Sequence, residues 1–175
     1  MATKQNIVYL VEGETEKKFL QILKTEFQYI RPGKIYVLNV VQEYARHSFF
    51  LQFDKSTFVL LFDTDTNNTS ILQENIKFIS ELTNSQRVLC IPQVKNLEDE
   101  LCYSCQIKNI RILTGSSSTS DFKRDFLRIT NIHQKLIQHN FDIRRLWCHT
   151  ATNIFSSINN DATKIKFTKL RKNQK

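Results

Sequence analysis

The sequence predicts an α/β fold in which a mostly parallel β-sheet is flanked by helices. Four apolar runs rich in β-branched residues, typical of strands buried on both faces, alternate with segments whose apolar residues recur at helical spacing. A Ser-rich stretch at 115–120 follows the last of these units, and the chain beyond it shows helical patterns only. Because alternating strands and helices form βαβ units, we expect the first part of the chain to build the sheet and the last part a helical extension.

Each strand is predicted from its own apolar run. The first is the sequence IVYLV, which ends in a turn at Glu12-Gly13. The fourth is RVLCI, which Pro92 should end because proline has no N–H to donate to a sheet. The predicted strands cover residues 7–11, 35–41, 57–62 and 87–91.

The helices between and after the strands are predicted from amphipathic spacing. In the first helix, apolar residues recur on one face until a Pro-Gly pair stops the helix. Ser118 or Ser120 can cap a helix that starts at Asp121. The other predicted helices cover residues 14–30, 44–53, 71–82, 97–105, 131–139 and 143–158.

Charge is distributed unevenly along the chain. The formal net charge is +8, and residues 1–100 carry −2 whereas residues 101–175 carry +10. We expect residues 1–115 to form an α/β domain and residues 116–175 a basic helical extension packed on it. A basic surface attracts polyanions, most often nucleic acid, although the terminal charges would also suit a solvated tail. These terminal charges are Lys164, Lys166, Lys169, Arg171, Lys172 and Lys175.

Composition excludes several classes of protein. With 3 Gly, the chain has neither a glycine-rich dinucleotide fingerprint nor a GxxxxGK phosphate loop. The apolar run at 7–11 is too short for a signal peptide or a membrane span, so we expect a cytoplasmic protein with no membrane partner. In that compartment the 4 cysteines should be reduced. The pair Cys102 and Cys105 lacks a second pair at zinc-binding spacing, which favours buried thiols.

Carboxylates follow three of the predicted strands. Glu12 follows the first strand, Asp63 and Asp65 follow the third, and an acidic triplet that begins with Glu98 lies beyond the fourth. Residues two apart on a strand point to the same side, so we expect Asp63 and Asp65 to project together. Such carboxylates need a cation to offset their repulsion, and oxygen ligands suit Mg²⁺, Mn²⁺ or Ca²⁺. The alternative is that these acids only cap the helices that follow.

Two of these segments resemble the motifs of a known domain. The stretch Leu10-Val-Glu-Gly-Glu-Thr-Glu16 resembles the hydrophobic-Glu-Gly signature of TOPRIM domains, and Leu60-Leu-Phe-Asp-Thr-Asp-Thr66 resembles their Asp-x-Asp motif. The first motif is most similar to that of OLD-family and RloB-like TOPRIM nucleases, many of which are linked to phage defence. The resemblance covers about residues 5–115 and implies a TOPRIM, Rossmann-like sheet.

The resemblance implies an enzyme, a metal-dependent endonuclease that hydrolyses phosphodiester bonds in DNA or RNA with Mg²⁺ or Mn²⁺. By this resemblance, Glu12 would be the general acid/base and would also contact metal. Asp63 and Asp65 would be catalytic metal ligands, Glu16 would ligate a second ion, and Glu98 or Glu100 is a looser match to a later acid. The chain lacks the ATPase domain of full-length OLD proteins. We therefore expect a partner ATPase or other regulatory protein, and an oligomer is allowed.

Basic residues of the chain are candidates for holding a nucleic-acid backbone over the acidic edge of the sheet. By resemblance, Lys95 would act on the transition state. Three of the candidates fall within about one and a half helical turns and could form one stripe. Tyr103 or Trp147 could stack on a base, although its apolar surroundings favour burial of Trp147. The candidates are Lys95, Arg111, Lys123, Arg124, Arg128, Arg144 and Arg145.

Two other functions stay open. The segment around Asp63 and Asp65 also resembles the nucleophile motif of haloacid-dehalogenase-like phosphatases, with Asp63 as nucleophile and Asp65 as acid/base. That family needs a late acidic pair, which the second half of the chain does not offer, and Glu12 would have no role. The other alternative is a non-catalytic TOPRIM module that binds nucleic acid or depends on a partner.

Overall fold

The computed structural model describes residues 6–53, 55–83 and 88–167. The described residues form a four-stranded sheet in which every pair of neighbouring strands is parallel, with the strand order β2-β1-β3-β4. The strands are β1 (Ile7–Val11), β2 (Lys34–Val37), β3 (Thr57–Asp63) and β4 (Val88–Gln93). The helices are α1 (Glu14–Thr25), α2 (His47–Phe50), α3 (Ser70–Thr83), α4 (Leu97–Cys105), α5 (Arg111–Thr114), α6 (Phe122–Arg128), α7 (Ile132–Gln138) and α8 (Ala162–Ile165), with a 3-10 turn at Asn153–Phe155.

Helices cover both faces of the sheet, as the continuous apolar strands predict. Along β1, Tyr9 belongs to one buried cluster and Leu10 to the other. The first cluster also contains apolar residues of α1 and of α4 to α8, whereas the second contains residues of α2 and α3. Helices from the second half of the chain therefore share a core with β1 and α1.

The strand register brings the carboxyl ends of three strands to one edge. Leu10 of β1 lies opposite Leu60 of β3, and Asp63, the last residue of β3, lies opposite Gln93, the last residue of β4. Polar residues that follow these strands are thus delivered to the same end of the sheet, where ligands of open α/β sheets bind. The parallel sheet with helices on both faces confirms the predicted α/β fold class.

Several predicted boundaries differ from the structure. The first helix ends at Thr25 rather than near residue 30, since the chain turns back through Gln28, whose φ is 56°. Pro92 does not end β4 but pairs with Phe62 inside it. Its missing N–H is tolerated because β4 is an edge strand. The second strand stops at Val37, and the third extends to Asp63.

The prediction of a helix over 143–158 is wrong. That stretch is irregular apart from the 3-10 turn, and both Trp147 and Asn153 have positive φ. The basic extension over 116–175 stays a prediction, since its last charges, from Lys169 to Lys175, lie outside the described residues. Arg87, the first residue of the predicted fourth strand, also lies outside them. Within the described ranges, no helix combines the length and the apolar character that crossing a membrane requires.

Candidate active site

Glu12 links the ends of two strands. It follows β1 directly, and its Oε2 accepts a hydrogen bond of 3.1 Å from the backbone N–H of Asp63, at the end of β3. Its Oε1 accepts a 2.7 Å bond from the side-chain amide of Asn39, which follows β2. Each carboxylate oxygen of Glu12 is therefore held by a donor from a neighbouring strand end, which fixes the orientation of the group.

Asp63 is the most strongly perturbed carboxyl group at this edge. The residue is 7% exposed, and its Oδ1 accepts a 2.6 Å hydrogen bond from the side-chain amide of Gln93. Burial, followed by the negative charge of Glu12, raises the pKa of Asp63 to about 8, although the bond from Gln93 opposes the shift. Asp63 thus holds a proton at neutral pH unless a cation offsets the surrounding negative charge.

Two further acids complete the group. Glu16 lies in the first turn of α1 and is buried, and burial, with smaller contributions from Glu98 and Glu12, raises its pKa. Glu98 lies in the first turn of α4, and its Oε2 is buried without a hydrogen-bond partner among the described residues. We call Glu12, Glu16, Asp63 and Glu98 the acidic cluster.

A lysine from the second half of the chain faces the acidic cluster. The ammonium of Lys123, on α6, lies 3.6 Å from Oε1 of Glu98. Partial burial lowers the pKa of Lys123, but the carboxylates of the acidic cluster outweigh it, and the pKa is raised overall. Lys123 therefore stays charged and partly neutralises the cluster. Sequence reasoning assigned it to the nucleic-acid backbone only.

Asp65 differs from Asp63 in its surroundings. The expectation that the two project together assumed a strand through Asp65, but β3 ends at Asp63, and Asp65 is exposed whereas Asp63 is buried. Between them, Thr64 turns towards the next loop, since its N–H donates to the carbonyl of Lys95 and its hydroxyl to the carbonyl of Gln93. The negative charge of Asp65 still contributes slightly to the raised pKa of Asp63.

The donor atoms of the acidic cluster fit a hard divalent cation. All of them are carboxylate oxygens, and one of them, Oε2 of Glu98, is buried and unpartnered within the described ranges. No three Asp, Glu, His or Cys side chains of the described residues form a ready group of metal ligands. Mg²⁺ usually takes only one or two protein carboxylates and fills its other positions with water and phosphate, so this cluster suffices for it.

Several predicted nucleic-acid contacts are engaged within the protein. Arg124 forms ion pairs with Asp121 at 2.7 Å and with Asp125 at 3.0 Å. Arg144 forms a 2.7 Å ion pair with Asp142. The predicted stripe on α6 is thus divided, because Lys123 faces the acidic cluster while Arg124 faces aspartates. Asp121, Asp125 and Asp142 are likewise engaged by these arginines.

The other basic candidates are placed as follows. The guanidinium of Arg145 lies 4.2 Å from the ring centre of Tyr103, and that of Arg111 donates to the carbonyl of Ser117. Arg128 is exposed. Lys95 is exposed in the loop after β4, with a left-handed φ of 65°, and its N–H donates to the hydroxyl of Thr64.

Two residues at this edge were missed by the sequence analysis of the site, and a third, Trp147, was considered there only as a stacking residue. Asn39 orients Glu12, Gln93 contacts Asp63, and the indole N–H of Trp147 donates to Oε1 of Gln93 at 3.3 Å. Gln93 follows the predicted fourth strand, so the reasoning applied to carboxylates would have found it, whereas Asn39 lies inside the predicted second strand, which ends earlier in the structure, at Val37. Trp147 is buried, as its apolar neighbours favour, and cannot stack on a base.

Comparisons of this chain with models of protein families, with curated proteins and with solved structures find no match. The resemblance to TOPRIM nucleases accordingly rests on the two motifs that contain Glu12 and Asp63.

Proposed function

We propose that the protein is a Mg²⁺- or Mn²⁺-dependent nuclease of the TOPRIM type that hydrolyses phosphodiester bonds in DNA or RNA. The observation that carries the proposal is the convergence of the acidic cluster at the carboxyl edge of the sheet, where Asp63 has a pKa of about 8. Burying carboxylates that repel one another destabilises a fold, and their presence supports binding of a cation. The role in phage defence that the resemblance implies is part of the same proposal.

In this proposal, cation binding and proton transfer are carried out by different residues of the acidic edge. Asp63 and one further acid among Glu16, Asp65 and Glu98 would hold the cation, with water and phosphate in its other positions. When bound, a divalent cation supplies an activated water and stabilisation of the leaving oxygen. Glu12 is held by Asn39 and by the backbone of Asp63, so its carboxylate is oriented to accept the proton of the attacking water.

The substrate is proposed to be a polyanion because positive charge lies beside the acidic cluster. Lys123 can leave Glu98 for a substrate phosphate when a cation takes over the neutralisation of the carboxylates. The exposed side chains of Lys95 and Arg128 are available for further backbone contacts. These contacts would position the strand without reading its sequence.

A cleavage assay tests the proposal. The purified protein would be incubated with plasmid DNA, single-stranded DNA and total tRNA, in the presence of Mg²⁺, Mn²⁺ or EDTA. The variant Asp63→Ala/Asp65→Ala should abolish cutting. The control Glu74→Ala/Glu81→Ala removes the same charge from exposed positions of α3 and should cut like the wild type.

The other two functions predict different outcomes. Hydrolysis of p-nitrophenyl phosphate without nuclease activity, lost in Asp63→Ala but kept in Glu12→Ala, would indicate the phosphatase. Salt-sensitive binding of nucleic acid without any cutting would indicate the non-catalytic module.

A further inference from the structure

We propose that Gln93 and Trp147 are positioning residues that orient the carboxylate of Asp63 for a cation, and that Trp147 responds when the cation binds. The proposal rests on the proposed function, because it assigns a task to residues behind the candidate metal ligand. Neither residue belongs to the TOPRIM-like motifs.

A buried chain of hydrogen bonds connects the three residues. The indole Nε1 of Trp147 donates to Oε1 of Gln93 at 3.3 Å, and Nε2 of Gln93 donates to Oδ1 of Asp63 at 2.6 Å. Gln93 is 0% exposed and Trp147 is 1% exposed, so water does not compete for these bonds.

The chemistry of the groups determines the direction of this chain. An indole N–H can only donate, so the oxygen of the Gln93 amide must face Trp147. The amide nitrogen then faces Asp63 and must donate to it. Because Gln93 engages Oδ1, the other oxygen, Oδ2, is the one left for a ligand. Second-shell bonds of this kind orient the carboxylates that bind metal in many sites.

The backbone at Trp147 is held in an unfavourable conformation that keeps the indole in place. Its φ is 50°, in the left-handed region that a bulky residue rarely adopts. The backbone N–H of Trp147 donates to the buried carboxylate of Glu100 at 2.8 Å, and its carbonyl accepts a 3.1 Å bond from Asn160. Strained residues persist where several contacts fix them, and such residues cluster at functional sites.

Cation binding tests the proposal. Trp147 is the one tryptophan of the chain, so intrinsic tryptophan fluorescence reports on this position alone. The full-length protein would be titrated with Mg²⁺ while emission is recorded, and Mn²⁺ affinity would be measured by electron paramagnetic resonance. We expect Mg²⁺ to change the emission of the wild type but not that of Asp63→Asn.

Two variants separate positioning from packing. Gln93→Leu keeps the bulk but loses both hydrogen bonds, and Trp147→Phe keeps an aromatic ring but loses the N–H. We expect Mn²⁺ affinity to fall about 10-fold or more in Gln93→Leu, and in the same direction in Trp147→Phe. The emission of Gln93→Leu should no longer respond to Mg²⁺. Gln73→Leu, at an exposed position of α3, is the matched control and should bind Mn²⁺ like the wild type.

The outcomes that would overturn the proposal are distinct. If Asp63→Asn loses Mn²⁺ but Gln93→Leu and Trp147→Phe bind it like the wild type, the positioning role is wrong and the proposed function stands. If the emission of the wild type does not change at saturating Mg²⁺, the claim that Trp147 responds to cation binding is wrong. If the wild type and Asp63→Asn show no difference in Mn²⁺ binding, the proposed function fails together with this inference.

Discussion

The ammonium of Lys123 lies 3.6 Å from a carboxylate oxygen of Glu98, although the two residues belong to different helices. Through this contact, α6 contributes a positive charge to the acidic cluster at the sheet edge. The negative carboxylates of the cluster raise the pKa of Lys123, so the ammonium stays charged despite its partial burial. The ammonium of Lys123 thus supplies a positive charge at the place where we propose that a divalent cation binds.

Removing this charge should destabilise the protein when divalent cations are absent. In EDTA, we expect Lys123→Met to lower Tm by about 2–4 °C, because the carboxylates lose a neutralising partner worth roughly 1 kcal/mol. Arg128→Met removes an equal charge from an exposed position of the same helix and should change Tm by less. Differential scanning fluorimetry measures both. Equal losses of Tm in the two variants would show that the positive charge of α6 stabilises the protein without a specific contact between Lys123 and the acidic cluster.

The raised pKa of Asp63 predicts a pH dependence of stability. Between about pH 4 and pH 8 the folded protein holds the proton of Asp63 while the unfolded chain releases it. The free energy of unfolding contributed by this group is therefore fully present at low pH and is lost as pH rises towards 8. Asp63→Asn cannot ionise, yet its amide oxygen can still accept the hydrogen bond from Gln93.

In EDTA, the Tm of Asp63→Asn relative to that of the wild type should rise by about 5–15 °C between pH 5 and pH 8, because a raised pKa of this size corresponds to several kcal/mol. The exposed control Glu74→Gln should show no such trend. Thermal melts across this pH range measure the difference. A difference that shrinks as pH rises would contradict the assigned environment of Asp63.

The acids at the strand ends could be found from sequence because local signals place them. A buried strand is a continuous apolar run, and Asp63 is the first charged residue after such a run, so its position at the sheet edge follows. Pro92 was misassigned as a strand end because proline is tolerated in an edge strand, and edge position depends on strand order.

The support behind Asp63 could not be predicted in the same way. The apolar residues of 143–158 have a spacing that resembles a helix, but this stretch is shaped by contacts from distant parts of the chain. Glu100 binds the backbone N–H of Trp147, and Gln93 binds its indole. Contacts between residues far apart in the chain produce no periodic pattern in the sequence. Neither the irregular backbone of 143–158 nor the hydrogen bonds to Trp147 could therefore be predicted.

The attachment of α6 to α1 gives a third prediction. The ammonium of Lys18 donates to the carbonyls of Phe126, Leu127 and Ile129, at 2.9, 2.9 and 2.6 Å. These carbonyls lie at the C-terminal end of α6, where a positive charge is favourable. Burial lowers the pKa of Lys18, so the three bonds must offset the loss of water around the ammonium.

We expect Lys18→Met to lower the free energy of unfolding by about 1–3 kcal/mol, since three carbonyls lose a charged donor. The neighbouring Lys17 makes an exposed ion pair with Glu14, so Lys17→Met should change it by about 0.5 kcal/mol or less. Urea unfolding followed by circular dichroism measures both values. Indistinguishable midpoints for the two variants would show that Lys18 does not anchor α6.

Glu100 gives the last prediction, because it connects two segments behind the candidate site. One of its carboxylate oxygens accepts from the backbone N–H of Val94 at 3.0 Å, and the other accepts from that of Trp147 at 2.8 Å. Burial raises the pKa of Glu100, and the two bonds oppose this shift. Gln in its place offers one acceptor, so its amide nitrogen would face a backbone N–H and leave that donor unpaired.

The expected cost of Glu100→Gln is about 1–3 kcal/mol in the free energy of unfolding. The emission of Trp147 should also shift, because the indole loses the contact that fixes its backbone. Asp99→Asn, at the exposed neighbouring position of α4, is the control and should alter neither quantity. Urea unfolding followed by tryptophan fluorescence reads both effects in one experiment. If Glu100→Gln unfolds at the wild-type midpoint with unchanged emission, Glu100 does not hold Trp147 in place.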